Sequence, residues 1–405
     1  MRTKVAGATS GGGVAGGAAN KQNVQAASSQ TSAAAQAAAF YAVATERNLE
    51  TPTKAYASGA ALQFNLPPSG IGTYAIVSFL GTLSIGSGLT VGTYTASPWY
   101  PYNLLTVNYV DYLGFTRTNA TGWQLHMLER IKAFQFDPSV TLGSGVSTAL
   151  QNVIYAKSIP TPVISTVVTS ALAFSFVIPI STNRNSIRGS HLFNITGSQD
   201  IVTINCVAPL GGPNNMDSPL TKTGAGSADV VTVAGTVDLS YYYMDWPSGT
   251  VVPQAELALA HQVNSVTQNQ NIAAGQQYQY LVPTGFVFSR FITEFVTGAT
   301  AAAALGDTVD VTFFSFYLDA NTQIHGENLT SYLARIMRLF GSSLPDGVLV
   351  TDLSTRPVNS NSYSQVAINV TLDNTVTTTF SFFRTLADGL TLQNQNLQAI
   401  GAQAS

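Results

Sequence analysis

The stretch VTVAGTVDLSYYYMD, residues 231–245, decides the fold class. Val231, Val233, Val237, Leu239, Tyr241 and Tyr243 fall on one side of an extended chain, and Thr232, Thr236, Asp238 and Ser240 on the other. A period of two is what a half-buried β-strand requires. The pattern recurs outward from this point in both directions. Val366, Ile368, Val370 and Leu372 alternate with Gln365, Asn369 and Thr371, and Leu172, Phe174, Phe176 and Ile178 with Ala171, Ala173 and Ser175. Val202, Ile204 and Cys206 oppose Thr203 and Asn205, which makes Cys206 a core thiol.

Composition supports a packed protein. Of 405 residues 45% are apolar but only 9% charged, with a net charge of -3, so Ser, Thr, Asn, Gln and Gly take the place of ions. Without excess Lys or Arg, a histone-like packager is excluded and direct nucleic-acid binding, sequence-specific binding included, is not expected. One cysteine leaves no intrachain disulfide and no cysteine-rich zinc site. No apolar run approaches the ~18–20 residues that span a bilayer. Arg2 and Lys4 lead into Gly11, Gly12 and Gly13 rather than a Leu-rich segment, so a soluble chain without a secretory signal is expected.

Residues 1–20, nearly all Gly, Ala and Ser, read as a flexible arm. Lys21 to Asn48 is rich in Ala and Gln without Gly or Pro, which predicts a helix whose bulky residues, Phe40, Tyr41 and Val43, come late. That helix packs on its own domain or on a partner or membrane. Two further helices interrupt the β pattern. Thr121 and Gln124 have capping-box spacing before a stripe of Trp123, Met127, Leu128, Ile131 and Phe134. Asn328 precedes Leu329, Leu333, Ile336, Met337 and Phe340, and Gly341 terminates the run. Each helix follows an aromatic strand, Leu105 to Phe115 or Val311 to Leu318, through a polar loop.

The same parts in the same order predict a duplicated, all-β chain: two tandem jelly-roll β-sandwiches with helix-bearing loops and an N-terminal helix. The divisions are an arm and helix over 1–50, a first sandwich over 51–247, a linker over 248–267, a second sandwich over 268–390 and a tail over 391–405. Short strands with long connections favour a jelly roll over a meander. Thr141 to Pro162, Thr182 to Asp200, Ala208 to Asp229 and Val350 to Ser364 are the long connections, expected as surface decoration.

Catalytic patterns are weak. His126, His191, His261 and His325 stand apart and form no metal-binding pair, so core or solvated histidines are expected. Gly11, Gly13 and Gly16 match a dinucleotide pattern without a strand before them. Asn119, Asn194, Asn328 and Asn369 begin acceptor triplets for glycosylation, two of which coincide with helix caps. No cofactor, metal or catalytic residue is expected. Arg130, Lys132, Arg335 and Arg338 are expected in exposed pairs or at a subunit contact. Trp99, Tyr100, Tyr102, Tyr109 and Tyr112 form either an aromatic surface or core.

In order along the chain, GWQLH (122–126), SYYYMD (240–245) and LPDGV (344–348) resemble segments of the double jelly-roll major capsid proteins of icosahedral double-stranded DNA viruses. The likeness is strongest to tectivirus-type bacteriophages with an internal membrane, with adenovirus hexon a distant relative. It implies a non-enzymatic homotrimer whose six sandwiches form a pseudo-hexagonal tile, in contact with neighbouring trimers, vertex or minor capsid proteins and a viral membrane. It implies a place in the virion after assembly in the host cytoplasm. Arg2, Lys4, Lys21, Phe40, Tyr41 and Val43 are then the assembly or membrane-facing residues, and deleting 1–48 is expected to spare trimers and stop shell assembly. A receptor- or glycan-binding spike or adhesin sandwich, using loops such as Val350 to Ser364, is the alternative.

Overall fold

The computed structural model describes residues 34–66, 70–85, 93–96, 100–133, 163–164, 169–191, 199–209, 220–223, 231–268, 277–282, 285–297, 304–305, 311–319, 322–340, 348–372 and 380–392. In the first sandwich one sheet runs β1 (Thr45–Glu50), β12 (Val231–Asp245), β4 (Ile71–Ile85), β9 (Thr169–Pro179), with β2 (Lys54–Ala55) also on β12. Across the core lie β3 (Ala61–Asn65), β10 (Ile201–Cys206), β6 (Leu105–Val110) and β7 (Thr116–Thr121), followed by helix α2 (Gly122–Ala133). A small sheet of β11 (Leu220–Thr223), β5 (Thr93–Ala96) and β8 (Val163–Ile164) accompanies them.

The second sandwich repeats this order. β13 (Leu259–Gln268), β22 (Phe380–Leu392) and β15 (Phe286–Thr297) are followed along one edge of β15 by β20 (Val358–Asn359), β19 (Val348–Asp352) and β16 (Ala304–Leu305). The other sheet is β14 (Gln277–Leu281), β21 (Val366–Leu372), β17 (Val311–Leu318), β18 (Thr322–Asn328), leading into helix α3 (Leu329–Phe340). Even the irregularities are duplicated. A register shift between β4 and β12 leaves Thr73 bulged, and one between β15 and β22 leaves Ser289 bulged. The Thr73 carbonyl accepts from the Ile180 and Ser181 amides at 3.2 and 2.9 Å, and the Ser289 carbonyl from Leu353 at 2.8 Å. The bulges align Tyr74 with Arg290 and Tyr242 with Asp388.

Between the sandwiches β13 lies parallel to β7, pairing Val263 with Thr118 and Asn264 with Asn119, so that strands of both halves form one 10-stranded sheet. The inward residues of the alternating runs build a shared core: Val237, Leu239, Tyr241, Phe174, Ile178, Ile204, Ile368 and Val370 are all buried, as is Cys206. Gly81 and Gly235 face each other across β4 and β12. A Cβ on Gly235 would lie 2.6 Å from the Leu80 carbonyl oxygen and 2.8 Å from the Gly81 Cα, so only glycine fits.

Several expectations need correction. Residues 34–43 form helix α1, but the helix does not reach Asn48, because Thr45 to Glu50 pair with β12 as a strand. Phe40 is fully buried on Ile71, Ile187 and Leu257, so it and Tyr41, which hydrogen-bonds Ser186 and the Ile187 amide, serve the chain's own core rather than an outside surface. Val43 remains exposed, and Arg2, Lys4 and Lys21 lie outside the described residues. Residues 248–267 are no linker: they hold a helical turn, Gln254–Leu257, and nearly all of β13. β22 runs to Leu392, past the expected start of the tail. The polar loops before both helices are strands β7 and β18, hairpin partners of β6 and β17. Val350 to Ser364 is not decoration, since β19 and β20 hold it on β15 and bury Val350 and Ser360. Thr141 to Pro162 lies outside the described residues.

Candidate functional site at the seam between the sandwiches

Helix α2 begins on a reciprocal cap, Thr121 N donating to Gln124 Oε1 and Gln124 N to Thr121 Oγ1, both at 3.2 Å. That arrangement satisfies two amides that a helix start leaves open. The helix is not amphipathic in place. Trp123, Gln124, Leu125, His126, Met127, Leu128 and Ile131 are all buried, because the helix lies on β9 and Tyr102 of its own half and reaches the second half as well. α3 behaves differently: Tyr332 and Ile336 are buried, while Leu333 and Met337 of the expected stripe are exposed, as is Leu339. Its cap holds as expected, with Ser331 N donating to Asn328 Oδ1 at 2.9 Å.

Where α2 meets the second sandwich, the scarce charges converge. Lys132 Nζ lies 3.2 Å from the Asp388 carboxylate, His261 Nε2 donates to Asp388 Oδ1 at 2.6 Å, and Arg290 spans Asp388 and Asp352 at 3.4 Å each. Burial alone pushes the Asp388 carboxyl up, but Lys132, His261 and Arg290 together hold it well below the usual carboxylate range. Burial lowers Lys132 and His261, against the pull of Asp388. A second contact lies further along β15, where Gln124 Nε2 donates to Glu294 Oε2 at 3.4 Å and Arg384 Nε to the same oxygen at 2.7 Å. Lys132 is therefore paired across the seam, and Arg130 is buried, rather than either being a solvated surface ion.

Inside the first sandwich Asp111 pairs with Arg117 at 2.7 Å and closes the turn of the β6–β7 hairpin through the Leu113 and Phe115 amides. Asp200 accepts from Tyr109 Oη at 2.7 Å, from His191 Nε2 at 2.7 Å and from the Tyr112 amide. Tyr100, Tyr102 and Tyr109 are core, Tyr112 is half-buried, and Trp99 lies outside the described residues. The His191–Asp200 and His261–Asp388 pairs resemble acid–base dyads but are sealed, with side-chain exposures of 0–3%. A general base must reach its substrate, and these reach only the fold. A cleft of about 420 Å³ opens on the seam beside Tyr74, Glu129, Lys132, Arg184 and Arg290, and neither dyad lines it. Among the described residues no three His, Cys, Asp or Glu side chains are grouped to hold a metal, and no helix is long and apolar enough to cross a membrane.

No family model and no curated protein matches the chain. Solved structures do. The STIV MCP superposes with a TM-score of 0.60 at 13% identity, over 86% of this chain and 97% of that one. A structure titled for Sulfolobus Turreted Icosahedral Virus gives 0.59 at 15% identity, over 89% and 94%. The PBCV-1 virus capsid model gives 0.51 at 12%, over 86% and 93%.

The fold is a double jelly roll.

The superposition spans 86% of this chain and so takes in strands of both rolls. The seam residues escaped the sequence reading, although a signal was present. Glu294, Arg384 and Asp388 each stand inside otherwise apolar strand sequence, FITEFV and FFRTLADGL, where a charge needs a buried partner.

Proposed function

We propose that this double jelly roll is a viral major capsid protein, forming pseudo-hexagonal homotrimers that tile an icosahedral shell. The observation that carries the reading is the fold likeness along almost the whole length of both this chain and the STIV and PBCV-1 capsid structures. Physical chemistry supports it. A subunit covered on several sides gains little from scattered charge, because desolvating an ion costs several kcal/mol unless it is paired. The chain has 9% charged residues, and many of those described are paired within it. Contacts of this kind are individually weak and add up in a closed lattice.

An internal membrane, a DNA genome, vertex proteins and host-cytoplasmic assembly extend the same reading, with Arg2, Lys4, Lys21 and Val43 as the residues nearest the inner face. Because Phe40 and β1 belong to the folded body, deleting 1–48 would remove part of the fold itself. The spike or adhesin reading loses its main support with Val350 to Ser364 held on β15. Negative-stain microscopy of the purified chain tests the proposal: six-sided particles or sheets are expected, and isolated two-lobed monomers at all concentrations would overturn it.

A further inference from the structure

The seam cleft of about 420 Å³ gathers cations that the chain elsewhere uses sparingly. Lys132 reaches it from α2, Arg290 from β15 and Arg184 from the loop after β9. Among the described charged side chains that line it, these three face one carboxylate, Glu129. The wall therefore carries an excess of positive charge. Asp388 and Asp352, which lie behind Lys132 and Arg290, do not line the cleft.

The donors of these cations are largely unspent. Arg290 carries five N–H groups, and among the described residues its one hydrogen bond, from Nη1 to Asp388 Oδ2, is long at 3.4 Å. Its Nε is buried without a hydrogen-bond partner, and Asp352 Oδ1 at 3.4 Å makes an ionic contact only. With its side chain 13% exposed, Arg290 is neither fully paired nor freely hydrated, a costly state for an ion. Lys132 has three donors and, among the described residues, meets Asp388 alone, at 3.2 Å. Arg184 is half exposed, donates through Nη2 to Glu129 and lies 5.2 Å from the centre of the buried Tyr74 ring.

A cleft of about 510 Å³ beside α3 shows the contrary case. There Arg335 places Nε 2.9 and 3.0 Å from the two Glu327 oxygens and lies over the Tyr332 ring, so its charge is answered within the fold. Arg290 instead shares Asp388 with Lys132 and His261.

We propose that the seam cleft binds a phosphate group, held by Lys132 and Arg290, with Arg184 contributing from the loop after β9. A tetrahedral anion presents oxygens in several directions and can accept from three elements at once, whereas a carboxylate presents one planar edge. A phosphomonoester carries about −1.5 to −2 charge at pH 7, which suits three cations facing one carboxylate. The cleft falls within the ~300–1,000 Å³ of small-molecule sites, so it has room for the organic body of an ester as well. Bound there, the phosphate bridges α2 of the first roll to β15 of the second and strengthens the seam. The site lies within one chain and stands whether or not the chain assembles into shells.

Thermal unfolding and isothermal titration calorimetry of the purified full-length chain test the site. Inorganic phosphate, glycerol phosphate and dAMP are the probes, each set against sodium chloride at equal ionic strength. A saturable rise in Tm with at least one probe, and none with sodium chloride, is expected. The tightest probe identifies the source: a free ion, a lipid headgroup or a nucleotide. Arg184→Gln alters an exposed side chain, so the fold is kept and binding should weaken roughly tenfold or more, as the loss of one charge-assisted hydrogen bond implies. Lys132→Gln should weaken it at least as much. No saturable binding of any probe, or binding that both variants leave unchanged, would overturn the site. Succinate binding more tightly than all three probes would overturn the assignment to phosphate.

Discussion

Lys132 and Asp388 lie 3.2 Å apart across 256 residues of sequence, one on the helix of the first roll and the other on the last strand of the second. The pair ties α2 to β22 beside the β7–β13 pairing that joins the two halves in one sheet. It is also the point on which several other groups depend, since Asp388 answers His261 and Arg290 as well.

Replacing Asp388 by Ala leaves Lys132, His261 and Arg290 without their shared carboxylate. Removing one member of a buried ion pair typically costs ~3–5 kcal/mol. Thermal or denaturant unfolding of Asp388→Ala should show a loss of that order, and Lys132→Met, which removes the cation instead, a smaller one. Equal, negligible effects would mean the seam is held by packing alone.

Stability should fall as the pH drops below about 6.5. Burial, then the nearby Arg130, holds His126 well below its ordinary value of 6.5, and among the described residues neither ring nitrogen has a hydrogen-bond partner. Burial and then Lys132 lower His261 in the same direction. In both cases the unfolded chain binds protons that the folded chain refuses, so the stabilisation is complete above the unfolded value and is lost as pH falls toward the folded one. His126→Leu should flatten the dependence of unfolding free energy on pH between about 6.5 and 5, measured in urea.

Asp388 adds a later loss with the same sign. Its carboxyl is depressed in the folded state, so its contribution is present above the unfolded carboxylate range near 3.9 and disappears as pH falls further. An acid titration followed by tryptophan fluorescence should resolve the two stages.

Gly235→Ala places a methyl group against the Leu80 carbonyl and the Gly81 backbone in the middle of a 15-residue strand. Overpacking of this kind costs ~1–3 kcal/mol. Gly59→Ala meets nothing within 4 Å, yet its φ of +77° also makes it strained. The first should lower the folded yield through strand contact and the second through backbone conformation alone, so Gly59→Asn should recover part of the loss while Gly235→Asn should not.

The capping residues offer a milder pair of variants. Thr121→Ala removes the Oγ1 acceptor for the Gln124 amide, and Asn328→Ala that for the Ser331 amide. Each should cost ~1 kcal/mol in denaturant unfolding.

Residues with inward apolar periodicity were legible before the structure, as the burial of Val237, Leu239 and Tyr241 shows. So were the two helix starts, because Thr121 and Asn328 carry their caps in adjacent sequence. β1, β7 and β18 were not. TERNLE, TRTNAT and TQIHGEN lack an apolar face, and what makes them strands is backbone pairing with partners far away in sequence. α2 misled for a related reason: a helix enclosed by two rolls buries Gln124 and His126 as well as its apolar stripe, and sequence shows only the stripe. For Phe40 the sequence leaves own-domain packing and an outside contact both open, because the residues that decide it, Ile71, Ile187 and Leu257, are distant along the chain.

Native mass spectrometry of the purified full-length chain tests the central claim most directly. The capsid reading predicts a dominant species of three times 42.6 kDa that persists at moderate salt, since few ions are available to screen. A species of 42.6 kDa alone, at every concentration and salt level tried, would contradict it.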